Sequence, residues 1–326
     1  MQRERILTFL DVTRQRGLEI GPLDRPMVTR DMGPIEYVDR AGRDELVHTY
    51  DATGAVNPQR IVDVDHVWSE QRLVECVGGG RVYDYLLASH VIEHVPDLFG
   101  WLQEIGEVLV DGGLAVFVVP DRRYTFDVKR RTSGEAEFLD AYVRGLRRPD
   151  ARQIFDCFFH QELLDRAPAS ETERTLSARH LLEVCRRAQA GEYVDAHCWV
   201  FTPRSLLAAL DLASRLLLLP FEIVALLPPR PGEIDFLLVL RRLRAELSAD
   251  VQHAAFRASR DRLSLPEEVE VAATDARMLA EAQAAIERTA AIEASTSWRV
   301  TAPLRRAVTL ARRLGRAGAR PMRRTR

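Results

Sequence analysis

The sequence predicts an open, doubly wound α/β fold, and three observations carry that reading. Short apolar runs in residues 17–22, 35–39 and 83–89 each stop at polar or turn residues. Apolar residues recur at three- and four-residue spacings between Pro96 and Val110, the pattern of an amphipathic helix. Leu114-Ala115-Val116-Phe117-Val118-Val119 is continuously apolar and ends at Pro120-Asp121, which suits a strand covered on both faces of a parallel sheet. Strands alternating with helices place the chain in the doubly wound class.

In chain order, Gly17-Leu18-Glu19-Ile20 is a strand running into a turn at Gly21-Pro22, and Ile35 to Asp39 is a second strand ending in an acid. Arg60 to Val64 alternates as a third, and Tyr83 to Ser89 reads as a buried fourth. In the following helix Leu98, Trp101, Leu102, Ile105, Val108 and Leu109 share one face, and Asp111-Gly112-Gly113 ends it. Residues 122–192 are charged and helical in pattern, and read as an insertion. Strand signals return at Cys198 to Phe201, Phe221 to Leu227 and Ile234 to Leu240, with a helix from Pro203 to Leu219. The sheet should close near Arg241. The predicted organisation is therefore one α/β domain over residues 1–241, a helical spacer over 242–297 interrupted at Leu265-Pro266, and a basic amphipathic or disordered tail over 298–326.

Composition narrows the class. With 326 residues, 46% hydrophobic and 29% charged, the chain has material for one large core plus an appendage. Cys76, Cys157, Cys185 and Cys198 are widely spaced and form no CxxC pair, which argues against a disulfide framework or a zinc knuckle and for a reducing cytoplasm. The opening residues lack the apolar run of a secretory signal. The most apolar stretch, Leu206 to Leu227, holds Asp211, Arg215 and Glu222 and is broken by Pro220, so it is no membrane span.

In a sheet of this class ligands bind beyond the carboxyl ends of the strands. Gly21 follows the first strand, where backbone can approach a ligand, and Glu19 can orient polar groups in that turn. Asp39 stands twenty residues after Glu19, at the end of the second strand, the offset at which an acid accepts ribose hydroxyls. These residues point to a nucleoside-containing cofactor. The turn Gly21-Pro22-Leu23-Asp24-Arg25-Pro26 has Leu23 where a dinucleotide fingerprint needs its second glycine, so a pyrophosphate would be poorly cradled.

Leu18-Glu19-Ile20-Gly21-Pro22, Tyr83 to Val95 (YDYLLASHVIEHV), Leu109-Val110-Asp111-Gly112-Gly113-Leu114 and His197-Cys198-Trp199-Val200-Phe201-Thr202-Pro203 occur in that order. Together they resemble the class I S-adenosylmethionine-dependent methyltransferases over about residues 15–241. The resemblance implies a Rossmann-like, mostly parallel seven-stranded sheet whose last strand is antiparallel, with S-adenosyl-L-methionine as cofactor. It also implies that Glu19 and Gly21 contact the methionine portion, Asp39 the ribose and Asp65 the adenine edge, with Ser89 and His90 lining the methyl-donor pocket. Leu23 departs from the family pattern.

His90-x-x-Glu93-His94 matches the HxxEH spacing of one zinc protease class, but a buried strand leads directly into it and Pro96 follows it, leaving no long helix for the ligands. A divalent ion held by a glutamate–histidine cluster is the subtler alternative. The expectation here is that Glu93 and His94 cap and satisfy the loop, with no metal assigned.

Methyl transfer to oxygen needs an aligned acceptor hydroxyl and a base for its proton. His90, His197 and Asp121 are the candidates near the predicted sheet edge, and His160 could reach inward from the insertion. Arg122, Arg123 and Tyr124 could instead hold acceptor hydroxyls or an anionic group.

Residues 299–326 contain ten arginines and no acid; removing those ten from the 46 basic residues leaves 36 against 48 acids, a body of −12 carrying a tail of +10. Ser295 to Arg305 (STSWRVTAPLR) resembles the ends of many bacterial glycosyltransferases and methyltransferases of surface-polysaccharide gene clusters, which implies a glycan or glycolipid acceptor. Leu304, Val308, Leu310 and Leu314 among the arginines form a short basic amphipathic pattern suited to peripheral contact with an anionic membrane surface. Nucleic acid is not expected as a partner, because aromatic residues for base stacking are missing from the tail. A non-catalytic cofactor-binding protein, or a scaffold protein of a polysaccharide assembly complex, is the alternative function, and the sequence does not fix an oligomeric state.

Overall fold

The computed structural model describes residues 2–51, 56–159 and 171–266. Seven strands form one sheet: β1 (Gly17–Ile20), β2 (Ile35–Asp39), β3 (His66–Val67), β4 (Tyr83–Ser89), β5 (Leu109–Pro120), β6 (Phe221–Leu227) and β7 (Asp235–Arg242). Their order is β3-β2-β1-β4-β5-β7-β6. The first five run parallel, while β7 pairs antiparallel with both β5 and β6. The order reverses beside β1, so the connections leaving β1 and β4 diverge there and open a crevice at the carboxyl ends of the strands.

The continuous apolar runs are explained by burial on both faces. Leu18, Ile20, Val38, Leu86, Ala88, Ala115, Phe117, Val119, Leu238 and Leu240 belong to one cluster, while the alternate residues Tyr37, Tyr85, Leu87, Val116, Val118, Leu237 and Val239 belong to another. The period of two that separates these sets is the strand period. The second cluster is completed by Ile6, Leu10 and Val28, with Ile6 carried by helix α1 (Gln2–Leu7).

Helices α2 (Arg43–Asp51) and α3 (Leu73–Cys76) follow β2 and β3, and α4 (Leu98–Val108) bridges β4 and β5. The Asp97 carboxylate starts α4 by accepting the Gly100 N–H at 2.9 Å, and Leu98, Trp101, Leu102, Ile105 and Val108 are buried against the sheet. The insertion contains α5 (Glu135–Arg144), α6 (Ala151–Phe158) and α7 (Glu171–Gln189). Helix α8 (Pro203–Arg215) starts with Thr202 as its cap and Pro203 in its first turn, where a missing N–H costs nothing.

Helix α9 (Ala249–Arg260) begins the predicted spacer, yet it packs on the sheet. Phe256 is fully buried in the first cluster, worth about 1.5–3 kcal/mol of apolar transfer, and Ser259 Oγ accepts the Ile223 N–H of β6 at 2.9 Å. Among the described residues no helix is long and apolar enough to cross a membrane. The second spacer helix predicted over Ala276 to Ala294 and the basic tail lie outside the described residues.

Three predicted elements differ from the structure. The third strand is not Arg60 to Val64: a 3-10 turn occupies Pro58–Arg60, and pairing occurs at His66–Val67, between Asp65 N–H to Tyr37 O and Trp68 N–H to Asp39 O. Strand β5 begins at Leu109 rather than Leu114, with a register shift in its pairing to β4 that absorbs Asp111-Gly112-Gly113. Cys198 to Phe201 forms no strand beyond one isolated bridge, Phe201 to Asp121.

Candidate active site

The crevice is built from the first turn outward. Gly21 has φ +66° and donates its N–H to Val38 O at 2.8 Å, so the chain turns sharply as it leaves β1. A β-carbon there would stand 2.8 Å from Val91 Cγ2, so only glycine lets the two loops meet. Leu23 also has positive φ, +46°, a left-handed conformation that costs a side-chain-bearing residue about 1–2 kcal/mol. It is held by Val62 N–H to Leu23 O at 3.0 Å and by the neighbouring Asp24 carboxylate, which accepts the Asn57 N–H at 3.0 Å.

Glu19 is buried behind this turn and accepts the N–H groups of Met27 (2.6 Å) and Val28 (3.1 Å). Burial pushes its carboxyl up to about 7 against those two hydrogen bonds. It does not line the crevice, so the expected contact with the methionine portion is replaced by a different task, holding the 21–28 loop in shape.

Asp39 ends β2 on the crevice wall. Its Oδ1 accepts the Arg40 N–H at 2.8 Å, and among the described residues no donor reaches Oδ2. Burial, opposed by that bond and by Arg40, pushes its carboxyl up to about 6. The cavity in front of it has a volume of about 260 Å³. Gly21, Leu23, Asp39 and His90 meet there with Trp68, Ser69, Tyr50, Tyr193, His94 and Asp195. Trp68 stacks on Trp101 with centroids 6.4 Å apart, giving the cavity an aromatic side.

His90 leaves β4 with φ +55°, its N–H bonded to Val118 O at 2.9 Å. The turn aims the imidazole so that Nε2 lies 3.1 Å from Asp235 Oδ2 and Nδ1 3.7 Å from Glu93 Oε1. Burial draws the imidazolium down, but Asp235 and Glu93 outweigh it and the pKa is raised. His94 follows the same logic more strongly. Burial opposes its charge, yet Asp195 Oδ1 at 2.8 Å from Nδ1 and the neighbouring Glu93 hold it up to about 9.

The return of the insertion closes over this loop. Trp199 N–H bonds Glu93 O at 3.1 Å, Trp199 Nε1–H bonds Val95 O at 2.6 Å, and Cys198 Sγ–H reaches His94 O at 3.4 Å. Behind it, His197 Nδ1 lies 2.6 Å from Asp127 Oδ2. Arg130, 1% exposed, bonds Asp127 Oδ1 at 2.7 Å and His197 O at 2.9 Å. Burial would raise the Asp127 carboxyl, but His197 and Arg130 together hold it below its ordinary range.

Several predicted residues fall elsewhere. Asp65 is not at the adenine edge of the cavity: its Oδ2 is taken by the Tyr37 N–H and by Arg30 Nη2, both at 2.7 Å, and Trp68 and Ser69 occupy the wall instead. Asp121 is fully buried and paired with Arg123 (Nη2 to Oδ2, 2.6 Å; Nε to Oδ1, 3.0 Å), so a base role is corrected to a structural ion pair. Arg122 bonds Arg130 O and Val128 O, turned away from an acceptor role. Ser89 and His197 do not line the cavity, though His197 packs edge-on against His94 with centroids 4.7 Å apart. His160 lies outside the described residues. The expectation that Glu93 and His94 satisfy the loop through capping is also corrected: Glu93 is 1% exposed, and neither of its carboxylate oxygens has a hydrogen-bond partner.

Sequence reading missed Trp68, Tyr193 and Asp195. Trp68 follows an edge strand too short to announce itself, and Tyr193 and Asp195 arrive from the far end of a long insertion. The one available signal was their nearness to His197-Cys198-Trp199.

A family model described as a methyltransferase domain matches residues 3–213. No curated protein matches. Among solved structures the chain is similar to S-adenosylmethionine-dependent methyltransferases from three organisms. The one from Thermotoga maritima is 15% identical, with 74% of this chain and 87% of that chain covered and a TM-score of 0.37. The one from Mesorhizobium loti is 14% identical, covering 73% and 96% with a TM-score of 0.39. The one from Methanosarcina mazei is 15% identical, covering 73% and 97% with a TM-score of 0.35.

Proposed function

The chain belongs to the methyltransferase-domain family, and from that premise we propose that it methylates a hydroxyl oxygen of a sugar in a surface polysaccharide or glycolipid. The cofactor is S-adenosylmethionine. The observation that carries the reading is Asp39, a carboxylate at the end of β2 with one oxygen open to the cavity. In this reading the ribose hydroxyls donate to Asp39, the adenine lies near Trp68 and Ser69, and the methionine portion runs past Gly21.

His90 lines the same cavity and is the base in this proposal. Asp235 accepts from Nε2–H, which leaves Nδ1 as the proton acceptor. S-adenosylmethionine carries no phosphate, so the turn needs no phosphate cradle, and the left-handed Leu23 is compatible with it. The polysaccharide acceptor rests on the sequence of residues 295–305, and peripheral contact with an anionic membrane surface rests on the ten arginines of residues 299–326.

The test is mass spectrometry of the surface polysaccharide from cells with and without the gene, joined to turnover of purified protein with the unmethylated glycan. A single methyl group missing from the gene-less cells, restored in vitro by the wild type and not by His90→Ala, is the expected result. Identical glycans from both cells remove the acceptor assignment.

A further inference from the structure

The Glu93 carboxyl presents a physical problem that the methyl-transfer reading leaves unsolved. It is 1% exposed and both oxygens lack a hydrogen-bond partner; the His90 and His94 imidazoles stand 3.7 and 3.9 Å from Oε1, close enough to share its charge but too far to hydrogen-bond it. One ligand atom from each of Glu93, His94 and His197 lies within 4.8 Å of the other two. We propose that these three residues bind a divalent first-row transition ion such as zinc or manganese.

The orientation of the two histidines carries the argument further. Asp127 Oδ2 stands 2.6 Å from His197 Nδ1 and Asp195 Oδ1 stands 2.8 Å from His94 Nδ1. A carboxylate hydrogen-bonded to one ring nitrogen fixes the tautomer and leaves the other nitrogen as a lone-pair donor toward a metal, which Asp127 does for His197, while the Asp195 contact to His94 is close but lacks hydrogen-bond alignment. His94 Nε2 accordingly faces Glu93 Oε1 at 3.9 Å. Asp127 is itself locked by Arg130, and the Glu93 and His94 carbonyls are tied to Trp199 and Cys198, so the three ligands sit on clamped backbone. Ligand atoms around a tetrahedral ion with bonds of about 2.1 Å stand roughly 3.4 Å apart, so separations of up to 4.8 Å need to contract by up to about 1.4 Å.

Two imidazoles and one carboxylate form a borderline set that favours zinc, manganese, iron or cobalt over calcium, which prefers an all-oxygen shell. Three protein ligands leave a position open, and His94 brings the cluster to the cavity wall. An acceptor hydroxyl oxygen would enter there and lose its proton more readily. That role rests on the methyl-transfer reading; the site itself does not.

The experiment uses full-length protein stripped with a chelator and titrated with Co2+ alone. The expected result is one equivalent bound with the visible d–d absorption of a low-symmetry nitrogen and oxygen site, bleached by added Zn2+. Glu93→Gln and His197→Gln should abolish the bands, and Asp127→Asn should weaken binding about 10–100-fold. Asp39→Ala should weaken cofactor binding and keep the cobalt spectrum, which separates failure of this site from failure of the cofactor reading. Circular dichroism reports whether each variant folds. Lack of d–d absorption in the wild type overturns the proposal whatever the variants do, and so does an unchanged spectrum in a folded Glu93→Gln protein.

Discussion

Replacing Asp39 by alanine is the most direct perturbation of the cofactor reading. The carboxylate offers two oxygens, one already engaged by the Arg40 N–H and one facing the cavity. Charge-assisted bonds to ribose hydroxyls contribute about 1.5–3 kcal/mol, so Asp39→Ala should weaken binding of S-adenosylhomocysteine by roughly 10- to 150-fold. The pH dependence follows from the same group. Burial sets its carboxyl at about 6, and ribose hydroxyls donate best to the ionised form. Affinity should therefore rise with pH through 6 and level off above 7; about one-tenth of the groups are ionised at pH 5, which predicts a loss of roughly tenfold there. Below pH 6 binding should also release less heat in buffers of low ionisation enthalpy than in buffers of high ionisation enthalpy, because the proton released is taken up by the buffer. Isothermal titration calorimetry from pH 5 to 8 measures all three quantities. Wild-type affinity that is flat across this range, or an Asp39→Ala protein with the wild-type constant, would refute the reasoning.

Glu19→Gln should cost about 1–3 kcal/mol at pH 5, because the new amide faces the Met27 and Val28 N–H groups with a donor. Its folded pKa is raised from 4.5 to about 7, so the wild type loses stability from this group as pH rises across that window, and the gap in thermal midpoint should narrow by pH 8. Asp121→Asn strands the buried Arg123 guanidinium and should lower stability by about 3–5 kcal/mol, read by urea unfolding; a variant as stable as the wild type but inactive would return Asp121 to the list of bases. Full-length protein should co-sediment with anionic liposomes at low salt and release as salt shortens the screening length, whereas a chain ending at Ser297 should stay in the supernatant. Equal sedimentation of the two would remove the membrane proposal.

The elements legible in the sequence were those whose burial dictates their pattern. Strands β1, β2 and β4 carry apolar runs cut off by polar residues, and α4 shows its buried face at helical spacing. Strand β3 escaped because two paired residues at an edge need no apolar pattern. Cys198 to Phe201 misled for the opposite reason. Trp199 and Phe201 are apolar because they fill the core beside Phe138, with ring centroids 4.5 and 6.2 Å away, and not because a sheet pairs them. At the site, Gly21, Asp39 and His90 were found from strand ends. Asp121 was placed at the right strand end, but no strand pattern reveals that Arg123, two residues later, folds back to neutralise it.

The bonds from Trp199 and Cys198 to the backbone of residues 93–95 join the loop after β4 to the end of the insertion. The first brings His90 and His94 to the cavity; the second brings Tyr193 and Asp195 to the same cavity. A substrate that tightens the second segment therefore tightens the first. By thermodynamic reciprocity, whatever factor the acceptor contributes to donor affinity the donor must return to acceptor affinity. In such an enzyme a substitution that changes the coupling between these two segments alters the mutual effect of the two ligands by one and the same factor.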